Sequence, residues 1–519
     1  MMREMRVRPF LFIAILGGVS CSTSEPVEEV PSERVGAMLR EIAETPIPLT
    51  GAPGTLHQKV TTSSVEAQAY YDQGIAYLAG YVWIDAARSF NAALRLDEEV
   101  AMAHVGLAKA YFGAESVAAS RRHIDRAQQL AAAATLTKKE ELWIALADQQ
   151  LDAILAAEES RVEEHRAYKR AIEELISLDL DDAHAWVLRG NAEEDGAWGR
   201  GQMGGVGAVA FYEAALRRDP DHVGAHHFLV HAFENLRRYP DAARHGKRYA
   251  SLAPGVPHAQ HMYGHVLPRV DRWDEALAQF QAADEQHRQY FAKENIPSTE
   301  DWHYPHNLHA LGTVYLRLGR PDEAGALYRE LFDTQYVGFR GGGRLGPAVG
   351  FLILQGRHED ALRDARRLEA RGQPMARLVG LAYQCESLIR LGRLEEARAV
   401  RVEVESAYQA ALDAAPNPLL GMFASRQGRG LLEPLDGLLA LHGEDPEEGR
   451  QLLLSSADTI AARPTIDGWA TGMFHLARLA EAAEQVSMPD LAADLRARIA
   501  RIDPAYTTAE LEREATAGR

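Results

Sequence analysis

Seven histidines fall at spacings that set them side by side. His227 and His231 are four residues apart, the pair recurs 34 residues later as His261 and His265, and His258 with His261 and His306 with His309 are three apart. Steps of three and four residues stack side chains on one face of a helix. Two imidazoles at i, i+4 make half of a metal site, and a neighbouring helix at ~8–10 Å brings a second pair within reach. Neutral imidazole suits Zn, Cu, Ni or Fe, whereas a chain with two cysteines lacks the thiolates of a Cys-type zinc site. A metal centre also wants carboxylates behind its ligands, and Glu193, Glu194, Asp195 and Glu234 stand at neighbouring helix positions. The same column also suits contacts to the carboxylates or rings of a bound peptide or small ligand, or plain packing. A pH sensor would draw on the same residues.

What must position these side chains is a repeat. From Val65 onward the chain alternates helical apolar patterns with short breaks and no strand series interrupts them. Taking Ala67 as position 1, Gly74, Tyr77, Ala86, Phe90 and Ala93 fall at positions 8, 11, 20, 24 and 27, as in the tetratricopeptide (TPR) consensus. The frame recurs from Ala183 with a six-residue insertion, and from Val223, Pro257 and Pro305, with weaker copies near Ala101, Gly342 and Leu378 and degenerate helix pairs from Leu431 on. In it His227, His261 and His309 take position 5, His231 and His265 position 9, and His258 and His306 position 2. All lie on the first helix of a pair, the face that lines the concave groove of such an array. The expected fold is all-α, a right-handed superhelical solenoid of antiparallel helix pairs. Breaks are expected at Gly196–Gly207, Asp284–Tyr304 and Gly338–Gly346, where Gly, Pro or unbroken polarity stops the pattern.

Several segments together resemble a group of bacterial TPR lipoproteins rich in histidine. They are Gly54-Thr-Leu-His57 with Ala67-Gln-Ala-Tyr-Tyr-Asp-Gln-Gly74, Ala101-Met-Ala-His-Val-Gly106, His226-His-Phe-Leu-Val-His-Ala232, Ala253-Pro-Gly-Val-Pro-His258, His261-Met-Tyr-Gly-His265 and Tyr304-Pro-His-Asn-Leu-His309. The resemblance spans roughly residues 54–333 and implies the fold and a possible site, but no reaction. Where the group reads Met-Pro-Ser-His, this chain has Met262-Tyr-Gly-His265, which keeps the histidine and loses the proline.

The first twenty residues read as a signal peptide. Arg3, Arg6 and Arg8 precede an apolar Phe10–Leu16 run too short for a permanent span, and Gly18-Val-Ser-Cys21 resembles a lipobox, with Gly18 where Leu is usual. Cys21 is therefore the expected site of a diacylglyceryl and palmitate anchor. Ser22 after it implies outer-membrane sorting, on the periplasmic face, in a cell with two membranes. The expected organisation is a leader over 1–20, a lipidated tether over 21–64 with a short helix near Val35–Ala43, a TPR array with the histidine-lined groove over 65–337, and TPR-like pairs over 338–519.

Charge narrows the partners. Asp plus Glu outnumber Lys plus Arg by 74 to 56, a net charge of −18, which excludes a nucleic-acid backbone as an expected partner. The leading expectation is a membrane-tethered scaffold that binds a protein or small-molecule partner in its concave groove. The alternative is a metal-dependent enzyme or metal-binding protein that uses the groove histidines. Gly341-Gly-Gly343-Arg-Leu-Gly346 fits a dinucleotide pattern but sits between helix pairs with no parallel sheet around it. Cys385 takes a small-residue helix contact, which predicts burial, and no HExxH, Walker loop or GxSxG elbow occurs.

Overall fold

Small residues decide how the helices pair. A Cβ added to Gly74 would lie 2.5 Å from the Phe90 ring, one on Gly190 2.4 Å from Tyr212, and one on Gly312 3.2 Å from Tyr328. In each case the first helix of a pair rests its backbone on the large ring of the second, so any side chain there would push the pair apart. A computed structural model describes residues 34–194, 201–334, 336–443, 445–462 and 468–502. Among them are 23 α-helices and one two-stranded hairpin, Arg34–Val35 with Met38–Leu39. After a short helix, Arg40–Glu44, the rest form successive antiparallel pairs in an all-α, TPR-type solenoid, from Val65–Ala79 with Trp83–Leu96 to Met473–Gln485 with Pro489–Ile502. No described helix is long and apolar enough to cross a membrane. Cys21 and Asp195 lie outside the described residues.

Three differences from the sequence-based expectations shape the site. First, residues 34–64, expected as a tether, lie against the array. Arg34 pairs with Glu300 at 2.7 Å, Ala37 N–H donates to the Ala114 carbonyl at 2.7 Å, Gly255 N–H to the Ala52 carbonyl at 3.2 Å, and the Thr61 hydroxyl to Glu140 at 2.6 Å. Backbone groups of this segment supply acceptors to Arg88 and Asn91 of the first repeat, which is why a polar, aperiodic stretch is held. Its helix starts at Arg40 and not Val35, because the hairpin occupies the residues before it.

Second, the break expected from Asp284 begins only after Glu294. The helix Trp273–Glu294 runs on because His287 is buried and Tyr290 and Phe291 pack on the core.

Third, the array closes on itself. The Trp302 indole N–H donates to the Tyr81 carbonyl at 3.2 Å, Tyr290 to Asp85 at 3.0 Å, Arg88 to Glu294 at 2.8 Å, and Arg340 to Glu115 at 3.0 Å. Residues near 300 thus cover the first repeat, and the histidine face between them is enclosed. From the far end Trp469 and Ala470 reach the same face, the Ala470 carbonyl accepting from His309 at 3.0 Å.

Candidate metal centre

Helix Val223–Asn235 carries His227 and His231 one turn apart, and helix Pro257–Val266 brings His258 from the next repeat. Nε2 of His227 lies 3.2 Å from Nε2 of His231 and 3.1 Å from Nε2 of His258. One nitrogen from each of the three lies within 4.8 Å of the others. The tautomer of His227 follows from its other nitrogen. Nδ1 is 2.7 Å from the Ala79 carbonyl, which can only accept, so Nδ1 holds the proton and Nε2 turns a lone pair to its neighbours. That lone pair can accept one in-plane hydrogen bond, yet two ring nitrogens crowd it.

Tyr81 forms a wall of the site. Its ring lies 4.6 Å from His227 and 5.4 Å from His258, centre to centre, and its φ of +58° places a non-glycine residue in the left-handed region just after the helix Val65–Ala79. Tyr249 stacks on the His227 ring at 4.9 Å. The Trp302 bond to the Tyr81 carbonyl holds this wall in place.

The column continues beyond the trio. The His303 ring lies 4.4 Å from both His258 and His261, and His306 is 4.7 Å from His261. His261 repeats the logic of His227: Nδ1 donates to Asn307 Oδ1 at 3.0 Å, and the Asn307 amide is fixed by donating to the Phe280 carbonyl at 3.2 Å. Its Nε2 is buried and has no hydrogen-bond partner among the described residues, as is true of His303 Nε2, His306 Nδ1 and His258 Nδ1. His265 Nδ1 comes within 2.8 Å of Glu234 Oε1, but the approach is too oblique for a hydrogen bond. Of the three expected carboxylates that are described, Glu234 is the one placed at an imidazole. Glu193 is taken by Arg189 and by Lys169 at 3.2 Å, and Glu194 accepts from the Met203 N–H at 2.8 Å.

Electrostatics keep these rings neutral. Burial first, then repulsion from neighbouring histidines and, ahead of them at His306, from Arg344, holds His227, His258, His261, His303 and His306 well below the ordinary imidazole pKa. Burial brings His231 to about 4 against the opposing pull of Glu234. Neutral imidazole is the form that ligates a metal.

The expected open, histidine-lined groove is corrected by the structure. All seven rings are buried, because the closed array and Trp469 cover the face that would line a groove. What opens beside them is a cavity of about 70 Å³ bordered by Tyr81, His258, His287, Asp301, Trp302 and His303, room for about two waters at ~30 Å³ each. Sequence reasoning missed His303 and His287. His303 precedes the repeat frame that begins at Pro305, though it adjoins the Tyr304-Pro-His motif. His287 sits on the second helix of its pair, past the expected break, and its Nε2 is 3.2 Å from His303 Nδ1.

No protein-family model matches this sequence, and no curated protein matches it. Solved structures with a similar helical arrangement include yeast Tom70 (13% identity, 83% of this chain and 92% of that one, TM-score 0.40). Others are the Rap protein complexed with competence and sporulation factor (12%, 79% and 99%, TM-score 0.42) and MamA (15%, 34% and 92%, TM-score 0.28).

Proposed function

We propose that this protein is a helical-repeat scaffold built around one transition-metal ion held by Nε2 of His227, His231 and His258, and that Cys21 anchors it by lipid to the bacterial cell envelope. The observation that carries the metal reading is the nitrogen spacing. Zn–N bonds of ~2.05 Å at tetrahedral angles place ligand nitrogens about 3.3 Å apart, and two of the three separations are 3.1 and 3.2 Å. Oriented, uncharged ligands and a preset tautomer are what such a site needs before the ion arrives. Three protein ligands, of which His258 borders a cavity with room for about two waters, resemble a centre that keeps a position for water or substrate more than a closed structural site. When bound, such an ion supplies a Lewis acid and an acidified water. The chain's own groups hold the imidazoles, exclude bulk solvent and, through Glu234, place a carboxylate at the edge of the column. A partner protein on the histidines is the weaker reading, since the rings are covered; partner binding elsewhere on the array is compatible with the metal.

The test is metal content. Chain beginning at residue 22, dialysed against Zn(II) and freed of excess, is expected to hold roughly one ion, and His227→Ala and His258→Ala are expected to lose it while keeping their helical circular dichroism. Metal-free wild type under the same treatment overturns the reading. Cys21→Ser is expected to abolish incorporation of labelled palmitate in a bacterial host, and unchanged labelling overturns the anchor.

A further inference from the structure

A second cavity, of about 210 Å³, lies on the other side of Tyr81. Its wall is largely apolar, with Tyr71, Tyr81, Trp83, Phe112, Trp143 and Phe228 the large rings, and no carboxylate among the described residues borders it. Lys109, on the helix Ala101–Gly113, reaches it as the one lysine or arginine of the wall among the described residues. Its Nζ stands 5.1 Å from the centre of the Trp143 ring, and among the described residues no carboxylate pairs with it. Burial pulls the Lys109 pKa down to about 8, so the amine is still mainly charged at neutral pH.

Two more donors on the same wall lack acceptors among the described residues. Gln58 accepts from the Tyr71 hydroxyl at 2.6 Å through Oε1, which leaves its Nε2 buried and unpartnered, and the Trp143 indole N–H is buried and unpartnered as well. A buried donor without an acceptor is costly, and the ammonium of half-buried Lys109 has no counter-charge beside it among the described residues. A wall with three donors, one of them cationic, and with apolar surface elsewhere is complementary to a ligand that has an anionic acceptor head and an apolar body. The volume equals about seven waters at ~30 Å³ each, which suits a short-to-medium chain better than a long lipid tail.

We propose that this cavity binds an aliphatic carboxylate of medium length, with the carboxylate paired to Lys109 and the chain lying against the aromatic wall. The site is independent of the metal reading, because none of its donors is a proposed metal ligand.

Calorimetric titration of chain beginning at residue 22, in chelator and at pH 7, with octanoate, octanol and octylamine tests it. Octanoate is expected to bind one per chain, more tightly than octanol, and octylamine not measurably. Lys109→Met keeps the apolar stem, removes the charge and is expected to weaken octanoate roughly ten- to hundredfold while leaving octanol unchanged. Lys109→Gln serves if the first variant melts at lower temperature than wild type. Octanol binding as tightly as octanoate, undiminished octanoate affinity in a folded Lys109 variant, or no octanoate binding at all each overturns the proposal.

Discussion

Acidification of the metal-free protein should unfold it well above the range where carboxylates titrate. His222, His227, His231, His258, His261, His303 and His306 are all held below their ordinary pKa chiefly by burial. An unfolded histidine titrates near 6.5, so below that pH the unfolded chain binds more protons than the folded one and stability falls with falling pH. The contribution is fully present above about pH 7 and drains through the window between 6.5 and the folded values. By pH 5.5 each histidine costs about 1.4 kcal/mol, or ~10 kcal/mol for the seven as an upper limit. Asp85 runs the other way: burial, opposed by Arg88, raises it to about 6. Between about pH 4 and 6 the folded state therefore holds one extra proton there, a partial offset. Against a typical total stability of ~5–15 kcal/mol, the midpoint falls between about pH 5 and 6. Zn(II) at about a thousand times its Kd adds ~4 kcal/mol. At a slope of at most ~10 kcal/mol per pH unit this moves the midpoint by about 0.4–0.5 unit towards acid. Far-ultraviolet circular dichroism over a pH series, with chelator and with Zn(II), measures both. A metal-free midpoint below pH 4 would refute the view that a neutral, desolvated histidine core governs acid stability.

Other outcomes follow from packing. A Cβ on Gly106 would come 2.3 Å from the Phe90 ring, so Gly106→Ala is expected to cost about 1–3 kcal/mol in urea denaturation; a loss under about 0.5 kcal/mol would show that the first two repeats are less closely interlocked. Cys385 is buried and its thiol is pushed up to about 12 by burial, so native protein should resist a thiol-disulfide reagent that labels it at once in denaturant; fast native labelling contradicts its role as a helix contact. Glu386 and Arg478 form a buried pair at 2.9 Å, and Arg478→Leu is expected to destabilise the chain by about 3–5 kcal/mol, read by urea denaturation against wild type.

The repeat was legible because its signal is local. Gly74 and Phe90, or Gly312 and Tyr328, sit a fixed distance apart in sequence and meet inside one helix pair. The histidine column was legible for the same reason, since positions 2, 5 and 9 repeat on equivalent helices. Its enclosure was not, because it depends on pairs such as Trp302 with Tyr81 and His309 with Ala470, more than 150 residues apart in the chain. Register also could not tell that Glu193 would turn to Arg189 and Lys169, or that a backbone carbonyl, Ala79, would set the tautomer of His227. His303 and His287 fell outside the frame that located the others. The segment before Val65 reads as a tether because it has no periodicity, yet its backbone polar groups find partners on helices already built.

X-ray absorption at the zinc edge of the reconstituted chain measures the ligand shell itself. Three imidazole nitrogens at ~2.0–2.1 Å with one further light atom, reduced or lost in His258→Ala, is the result expected. A shell of oxygen alone, or one unchanged by that substitution, would place the ion elsewhere and leave the three imidazoles as packing.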